Sequence, residues 1–391
     1  MPSSSNKKIN IVMFNMSSFT EWERGLENRN YHILQNLLKD ERVNKIIAVD
    51  YLPHTYKRVL RNYKENILGH LNHKLLHKNW HRKIYEVNEK LIVYSTILPK
   101  FSKTKFYQKL NKFLAEQNFE DFIVWSYYPL EVGYLEKIKA RLFVFDAVDN
   151  WIEHPSYKNF RDIINKNYQV INEKADLIFL VSSQQKTLFS HGEKVHLFPN
   201  AVDLKHYQRD YAIINRDIGN LLKPIIGYIG TVQDRFDVDL FEFLLKNNPE
   251  KTFVIVGPIW YKKIKQRLSQ FKNVHLLGRK PYEEVPMYIQ QFDVGIIPHK
   301  IDAFSKFTNP MKIYEYLACA KPVVTTAMTD LAEFKEVISI ANDYQAFDDS
   351  LNNILQQKDD DALKEKRKEI IEDHSWLKRI DKMLDLIIQK L

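Results

Sequence analysis

Cysteine is all but missing from this 391-residue chain, where Cys319 stands alone. A single thiol excludes a disulfide framework and a cysteine-built zinc site, and it suits a reducing cytoplasm. Glycine is scarce too, with 10 residues in all, which argues against a glycine-rich phosphate loop. No GxGxxG occurs: Gly227 and Gly230 are separated by two residues, and Gly227 falls inside an apolar run. Long hydrophobic stretches are also absent. No segment reaches the ~18 uncharged apolar residues that a bilayer crossing requires. The opening "MPSSSNKKINIVMFNM" reads as a first strand, not a signal peptide. The expected location is the cytoplasm.

What the chain does have is apolar and aromatic material, 45% and 13% of its residues, and more length than one ordinary core fills. Apolar runs of strand length alternate with longer helical stretches. They fall at 9–14, 45–49, 91–94, 122–125, 142–145, 177–181 and 195–198, then at 224–229, 253–256, 274–277, 294–297, 322–325 and 337–340. Such alternation is the signature of parallel βαβ units. The expectation is an α/β protein of two doubly wound, Rossmann-like domains. The first spans 1–200, a polar linker 201–223, the second domain 224–370, and a C-terminal helix 371–391. Doubly wound sheets bind ligands at the carboxyl ends of their strands.

The formal net charge of +9 is concentrated. Between 57 and 112, 14 Lys and Arg face only Glu65, Glu86 and Glu89. Tyr63, Leu68, Leu71, Leu75, Leu76 and Trp80 are interleaved among them, which reads as a basic amphipathic helix suited to an anionic membrane surface. Nucleic acid is the other obvious anion, and a merely solvated basic face is the plain alternative.

The stretch "TNPMKIYEYLACAKPVV" carries the most chemistry. Asn309 suits an N-cap and Pro310 a first helical position, so a helix over 310–319 is expected, followed by a buried strand. Its N-terminus would offer free N–H groups and partial positive charge to a phosphate, with Lys312 adding a full one. Glu315, one turn deeper, could accept hydrogen bonds from a diol such as ribose. The competing interpretation is a capped helix with an ordinary Lys312–Glu315 salt bridge. Elsewhere, Gly230 and Thr231 end a strand before a loop with Arg235. "GRKPY", holding Arg279, Lys280 and Tyr282, is placed to meet a base edge. In "FDAVDNWIEH", Asp146, Asp149, Trp151 and His154 follow a strand, where a carboxylate can act as a base or orient a hydroxyl. Asp is equally common there as a helix cap, and His154 as a plain loop residue.

Taken together, "FPNAVDLKHY", "PIIGYIGTVQDRFD", "FVIVGP", "NVHLLGRKPYEEVPMYIQQFDVGIIP" and "TNPMKIYEYLACAKPVV" resemble the GT-B glycosyltransferases. Nearest is the family 4-like group (glycosyl transferases group 1) of bacterial envelope polysaccharide synthesis, including the teichuronic-acid type. "FDAVDNW" is similar to the D-x-x-D-x-W/Y segment of such enzymes. The resemblance implies an acceptor-binding N-terminal domain and a nucleotide-sugar-binding C-terminal one, facing across a cleft, with the last helix crossing back to the first domain. It implies a UDP-linked donor, a lipid-linked or oligosaccharide acceptor, no nucleic acid partner, and no metal or other cofactor. Carried onto this chain, Glu315 would bind the ribose, while Lys312, Arg235 and the N–H groups near Asn309 and Pro310 would hold the diphosphate. Gly230 and Thr231 would approach the donor phosphates, and Arg279, Lys280 and Tyr282 would flank the base. Asp149 would face the acceptor hydroxyl as the catalytic residue, with Asp146, Trp151 and His154 on the acceptor side. Peripheral attachment at the inner face of the cell membrane, through 57–112, follows as a hypothesis.

Two departures stand out. Many retaining members carry a second Glu where this chain has Phe307, and a glycine where it has Ala320. With Asp149 as base, displacement would invert the anomeric centre; a diphosphate-assisted front-face route would retain it, and the second is slightly favoured. A nucleotide-sugar 2-epimerase of the same architecture and a non-enzymatic anion- or nucleic-acid-binding protein are the alternatives.

Overall fold

A computed structural model describes residues 8–50, 56–69, 72–189, 192–209, 211, 217–357 and 361–391. Leu71 of the basic segment, with residues 210 and 212–216 of the expected linker, lies outside that set. The chain forms two units. Met1–Leu180, Gln185–Phe198 and Ile380–Leu391 make the first, and Val181–Gln184 with Pro199–Arg379 make the second. The helix Trp376–Lys390 divides its residues between them.

In the first unit nine strands form one sheet: β1 Ile9–Phe14, β2 Val43–Val49, β3 Lys74–Asn79, β4 Arg82–Asn88, β5 Leu91–Thr96, β6 Phe122–Ser126, β7 Leu142–Ala147, β8 Leu177–Leu180 and β9 Val195–Leu197. Their order is β3-β4-β5-β2-β1-β6-β7-β8-β9. Each parallel strand is an almost unbroken apolar run, because helices cover both faces of such a sheet. Ile11, Val12, Ile46, Ile47, Val93, Ile123, Val124 and Val144 are all 0–1% exposed. The order reverses between β1 and β6, so a crevice opens beyond their carboxyl ends.

One expectation fails here. Within the basic segment, Tyr56–Leu68 is helical, as an α-helix that runs into a π-helical turn, and a second α-helix spans Lys103–Glu116, but the stretch between Lys74 and Asn88 is not helical. Lys74–Asn79 and Arg82–Asn88 form an antiparallel hairpin joined to β5. The physical reason is non-local. Ile84 and Tyr85 are both 1% exposed, and β4 pairs with the fully buried β5, which overrides a locally helical pattern.

The second unit is built on β10 Ile225–Ile229, β11 Thr252–Val256, β12 Val274–Gly278, β13 Val294–Ile297, β14 Val323–Thr326 and β15 Ile338–Ala341. These are parallel throughout, in the order β12-β11-β10-β13-β14-β15. Gly227, inside β10, is explained by packing: a side-chain carbon there would lie 2.1 Å from the Phe292 ring. Here the sheet order reverses between β10 and β13, which places a second crevice beyond Ile229 and Ile297.

Candidate functional site

The crevice of the second unit collects most of the expected donor residues. β10 is followed directly by Gly230, whose φ of +122° few side-chain-bearing residues adopt. Lys312 fills the space beside it: a carbon added to Gly230 would lie 2.7 Å from Lys312 Cε and 2.8 Å from Nζ. The Lys312 ammonium also lies 5.1 Å from the centre of the Tyr228 ring. Arg235 comes from the loop after β10, its guanidinium 5.1 Å over the Phe304 ring. Thr231 is partly exposed, and its carbonyl accepts from the Tyr228 hydroxyl at 3.2 Å.

Lys312 and Glu315 both project from the helix Met311–Ala318, with part of their surface open but protein packed closely around them. Burial pushes the Lys312 ammonium down to about 8; Glu315 opposes the shift and Arg235 adds to it. Burial also pushes the Glu315 carboxyl up, against the pull of Lys312 and a hydrogen bond with the Tyr207 side chain. Among the described residues no salt bridge joins Lys312 to Glu315. The ordinary i,i+3 pair is therefore not what holds these two side chains.

The start of this helix differs from expectation. Pro310 is the N-cap itself, in extended conformation, and no side chain caps the helix. Asn309 is turned to other work, which corrects its reading as the cap. Its Oδ1 accepts from the Asn200 backbone N–H at 2.8 Å and from the Tyr314 hydroxyl at 3.0 Å. The first-turn N–H groups of an eight-residue helix thus lack a side-chain acceptor, a setting suited to an anion.

The expected base-side residues follow β12, and two of them have partners of their own. Arg279 is exposed. Lys280 pairs with Asp217 and lies 5.5 Å over the Tyr288 ring. Tyr282 stacks on His206 with ring centres 4.0 Å apart, and its carbonyl bonds His206 Nε2 at 3.0 Å. Of these three, Lys280 is thus engaged with Asp217 and Tyr288, and Tyr282 with His206.

In the first unit, Asp146, next to the end of β7, is fully buried in an ion pair at 3.0 Å with Arg29, whose side chain is 4% exposed. Burial raises its carboxyl, and the Arg29 charge opposes the shift. Such a pair is expensive to break, so Asp146 reads as a structural residue behind the crevice. Asp149 is partly exposed, and its carbonyl accepts from the Tyr168 hydroxyl at 3.5 Å. Trp151 is buried edge-on against Tyr128, ring centres 5.0 Å apart. His154 Nδ1 accepts the Ser156 N–H at 3.1 Å, capping a short turn.

Sequence reasoning missed Tyr207, Tyr228 and Phe304, which shape the pocket around the charges. It also gave no role to His299, although "GIIPH" placed it directly after a strand at the crevice.

Two doubly wound α/β units, each with its crevice at a sheet reversal, define the GT-B fold. Solved structures agree across the chain: sucrose-phosphate synthase of Thermosynechococcus elongatus superposes with a TM-score of 0.70 at 15% identity, over 98% of this chain and 99% of that one. Anabaena HepE in complex with UDP-glucose gives 0.69 at 15% identity, over 98% and 100%. Residues 223–371 match the family model for Glycosyl transferases group 1, so the second unit carries a domain of that family. TuaH of Bacillus subtilis (strain 168), whose name assigns it to teichuronic acid biosynthesis as a glycosyltransferase, is 26% identical over 255 residues. That match takes in 60% of this chain and 63% of TuaH, less than two thirds of the relative's length.

Proposed function

We propose that the protein is a glycosyltransferase that moves a sugar from a nucleotide-sugar, UDP-linked by preference, to a glycan or lipid-linked acceptor of the bacterial cell envelope. One observation carries this reading: Lys312 lies against Gly230, within the field of Arg235, at a helix start with no side-chain cap, with Glu315 unpaired by salt bridge one turn on. The complex of Anabaena HepE with UDP-glucose supports the choice of donor, and TuaH supports the envelope setting.

In this reading the Glu315 carboxylate accepts the ribose hydroxyls. Lys312, Arg235 and the N–H groups of the first turn neutralise the diphosphate as it leaves, which is where charge develops in the transition state. That set of cations and dipoles does the work a metal would otherwise do. Asp149, in the first unit, orients the acceptor hydroxyl, whose proton passes to the departing diphosphate on the same face of the sugar, so configuration is retained. The arrangement of the basic segment favours attachment to an anionic membrane surface: Trp80, Leu75 and Phe101 are 66%, 53% and 58% exposed beside exposed Lys74 and Lys78. No helix among the described residues is long and apolar enough to cross a membrane. The same proposal puts the site of action at the cytoplasmic face of that membrane.

The test is release of UDP from UDP-sugars in the presence of membrane lipid extract, followed by NMR of the new linkage. Transfer that requires Asp149 and gives the donor's own anomeric configuration supports the reading. Conversion of the donor to an epimer without acceptor would instead favour the 2-epimerase alternative.

A further inference from the structure

One titratable group beside the donor residues has no part in the reading above. His299 follows β13 directly after Pro298 and is 1% exposed. Neither ring nitrogen has a hydrogen-bond partner among the described residues. A buried polar group left so costs on the order of 1–3 kcal/mol, and native structures keep few of them. Its surroundings are those of the pocket. The Tyr228 ring, which carries the Lys312 ammonium at 5.1 Å, lies 6.4 Å from the His299 ring at an angle of 68°. The loop bearing Arg235 runs beside it: Phe236 pairs with His299 in a β-bridge, and the Lys300 N–H donates to the Arg235 carbonyl at 2.9 Å.

The charges around the imidazole are mostly positive. Lys312 faces it from the helix Met311–Ala318 and Arg235 from the loop after β10, while Lys300 follows it in the chain, exposed. The acids on the same loop and helix are otherwise occupied. Asp237 caps the helix Val238–Asn247 and accepts from the Tyr344 hydroxyl, and Glu315 stands with Tyr207. Burial first, then Lys312 and Arg235, hold the imidazole well below its ordinary value, so it is neutral in the empty site.

We propose that His299 takes up a proton from solvent when the diphosphate of a nucleotide-sugar settles against Arg235 and Lys312, and that the imidazolium so formed is a third cation of the donor site. This inference rests on the donor-site reading above. An anion of charge near −2 cancels the two cations that disfavour the imidazolium, and its own field favours the charged ring. No bond of the donor breaks in this step; one proton moves from water or buffer to a ring nitrogen. By linkage, the bound state holds more protons, so donor affinity is full at low pH and falls as pH rises through the bound-state value of His299.

The experiment is calorimetric titration of UDP-glucose at about pH 6.5 in two buffers of different ionisation enthalpy, on wild type and His299→Gln. The sugar-capped diphosphate carries no secondary phosphate proton of the kind that titrates near 6, and Lys312, with its value near 8, stays charged. Wild type is expected to take up a fraction of a proton per donor bound, larger as the pH is lowered, and His299→Gln to bind donor with almost none. Buffer-independent enthalpy in wild type, or uptake that persists in the variant, overturns the inference. If His299→Gln does not fold, the wild-type uptake decides against pH: growing as the pH is lowered for the imidazole, or rising only towards 8 if Lys312 alone is responsible. Failure of UDP-, GDP- and ADP-glucose to bind at all would overturn the donor-site reading itself, and this inference with it.

Discussion

Lys312 occupies the place a side chain at Gly230 would take, its Cε 2.7 Å from the position of that missing carbon. The two residues come from the end of a strand and the start of a helix some eighty positions on, and the absence of one side chain admits the other. Gly230→Ala is therefore expected to push the flexible lysine aside instead of breaking the fold. Nucleoside diphosphate affinity should fall at least about tenfold, roughly 1.4 kcal/mol, with a stability loss of about 1–3 kcal/mol from the +122° backbone. Denaturant unfolding and calorimetry read the two separately. Unchanged affinity would mean that Lys312 does not meet the anion.

Ala320 explains one departure of this sequence from its look-alikes. It lies at φ +56° just past the helix Met311–Ala318. Its N–H donates to the Leu317 carbonyl at 2.8 Å, and that of Lys321 to the Tyr316 carbonyl at 2.9 Å. This is the Schellman arrangement, where glycine is the favoured residue and alanine pays a steric cost. Ala320→Gly is expected to raise stability by about 0.5–1 kcal/mol, after the extra unfolded-state freedom of glycine is offset. A higher denaturant midpoint with unchanged slope and donor binding checks it; a lower midpoint would contradict it.

Asp50 directly follows β2, 1% exposed, with the Ser95 hydroxyl and the Phe19 N–H (2.8 Å) donating to it. Burial nevertheless pushes its carboxyl from 3.8 up to about 6. A carboxyl raised on folding makes the native state bind more protons than the unfolded one, so stability falls as pH climbs from about 4 to above 6. Asp50→Asn should therefore stabilise the protein at pH 7.5, by up to about 3 kcal/mol, and have little effect near pH 4. Thermal unfolding at both values checks the sign; equal shifts at the two would refute it.

The exposed face of the β3–β4 hairpin makes a separate claim. Wild type should sediment with vesicles that contain anionic lipid and not with neutral ones. Replacing Trp80 by Ala together with Lys74 and Lys78 by Gln should cut binding by more than tenfold, since each surface cation contributes about 1 kcal/mol. Indifference to lipid charge would remove the membrane from the account.

How much of this was legible beforehand varies by residue. The parallel strands were, because burial on both faces writes them as continuous apolar runs such as Ile9–Phe14 and Val294–Ile297. The β3–β4 hairpin was not. Its stability comes from pairing with β5, while β3 itself is exposed along most of its length and carries no core signal. Lys312 and Glu315 could be picked out from helix spacing, but that they form no salt bridge with each other could not, since it depends on Tyr207, Tyr228 and Arg235 brought from elsewhere. Asn309 looked like a cap because its type is right; Asn200, 109 positions away, takes its oxygen instead. His299 was visible only as the residue after a strand, and its lack of partners is a property of the fold.

The most direct measurement is calorimetric binding of UDP, GDP, ADP, dTDP and NAD to wild type and to Glu315→Ala. Selective binding of UDP, weakened by about tenfold or more in the variant, is the expected result and would establish the helix Met311–Ala318 as the diphosphate and ribose site. Binding of none of them, or binding indifferent to Glu315, would contradict the glycosyltransferase reading at its centre.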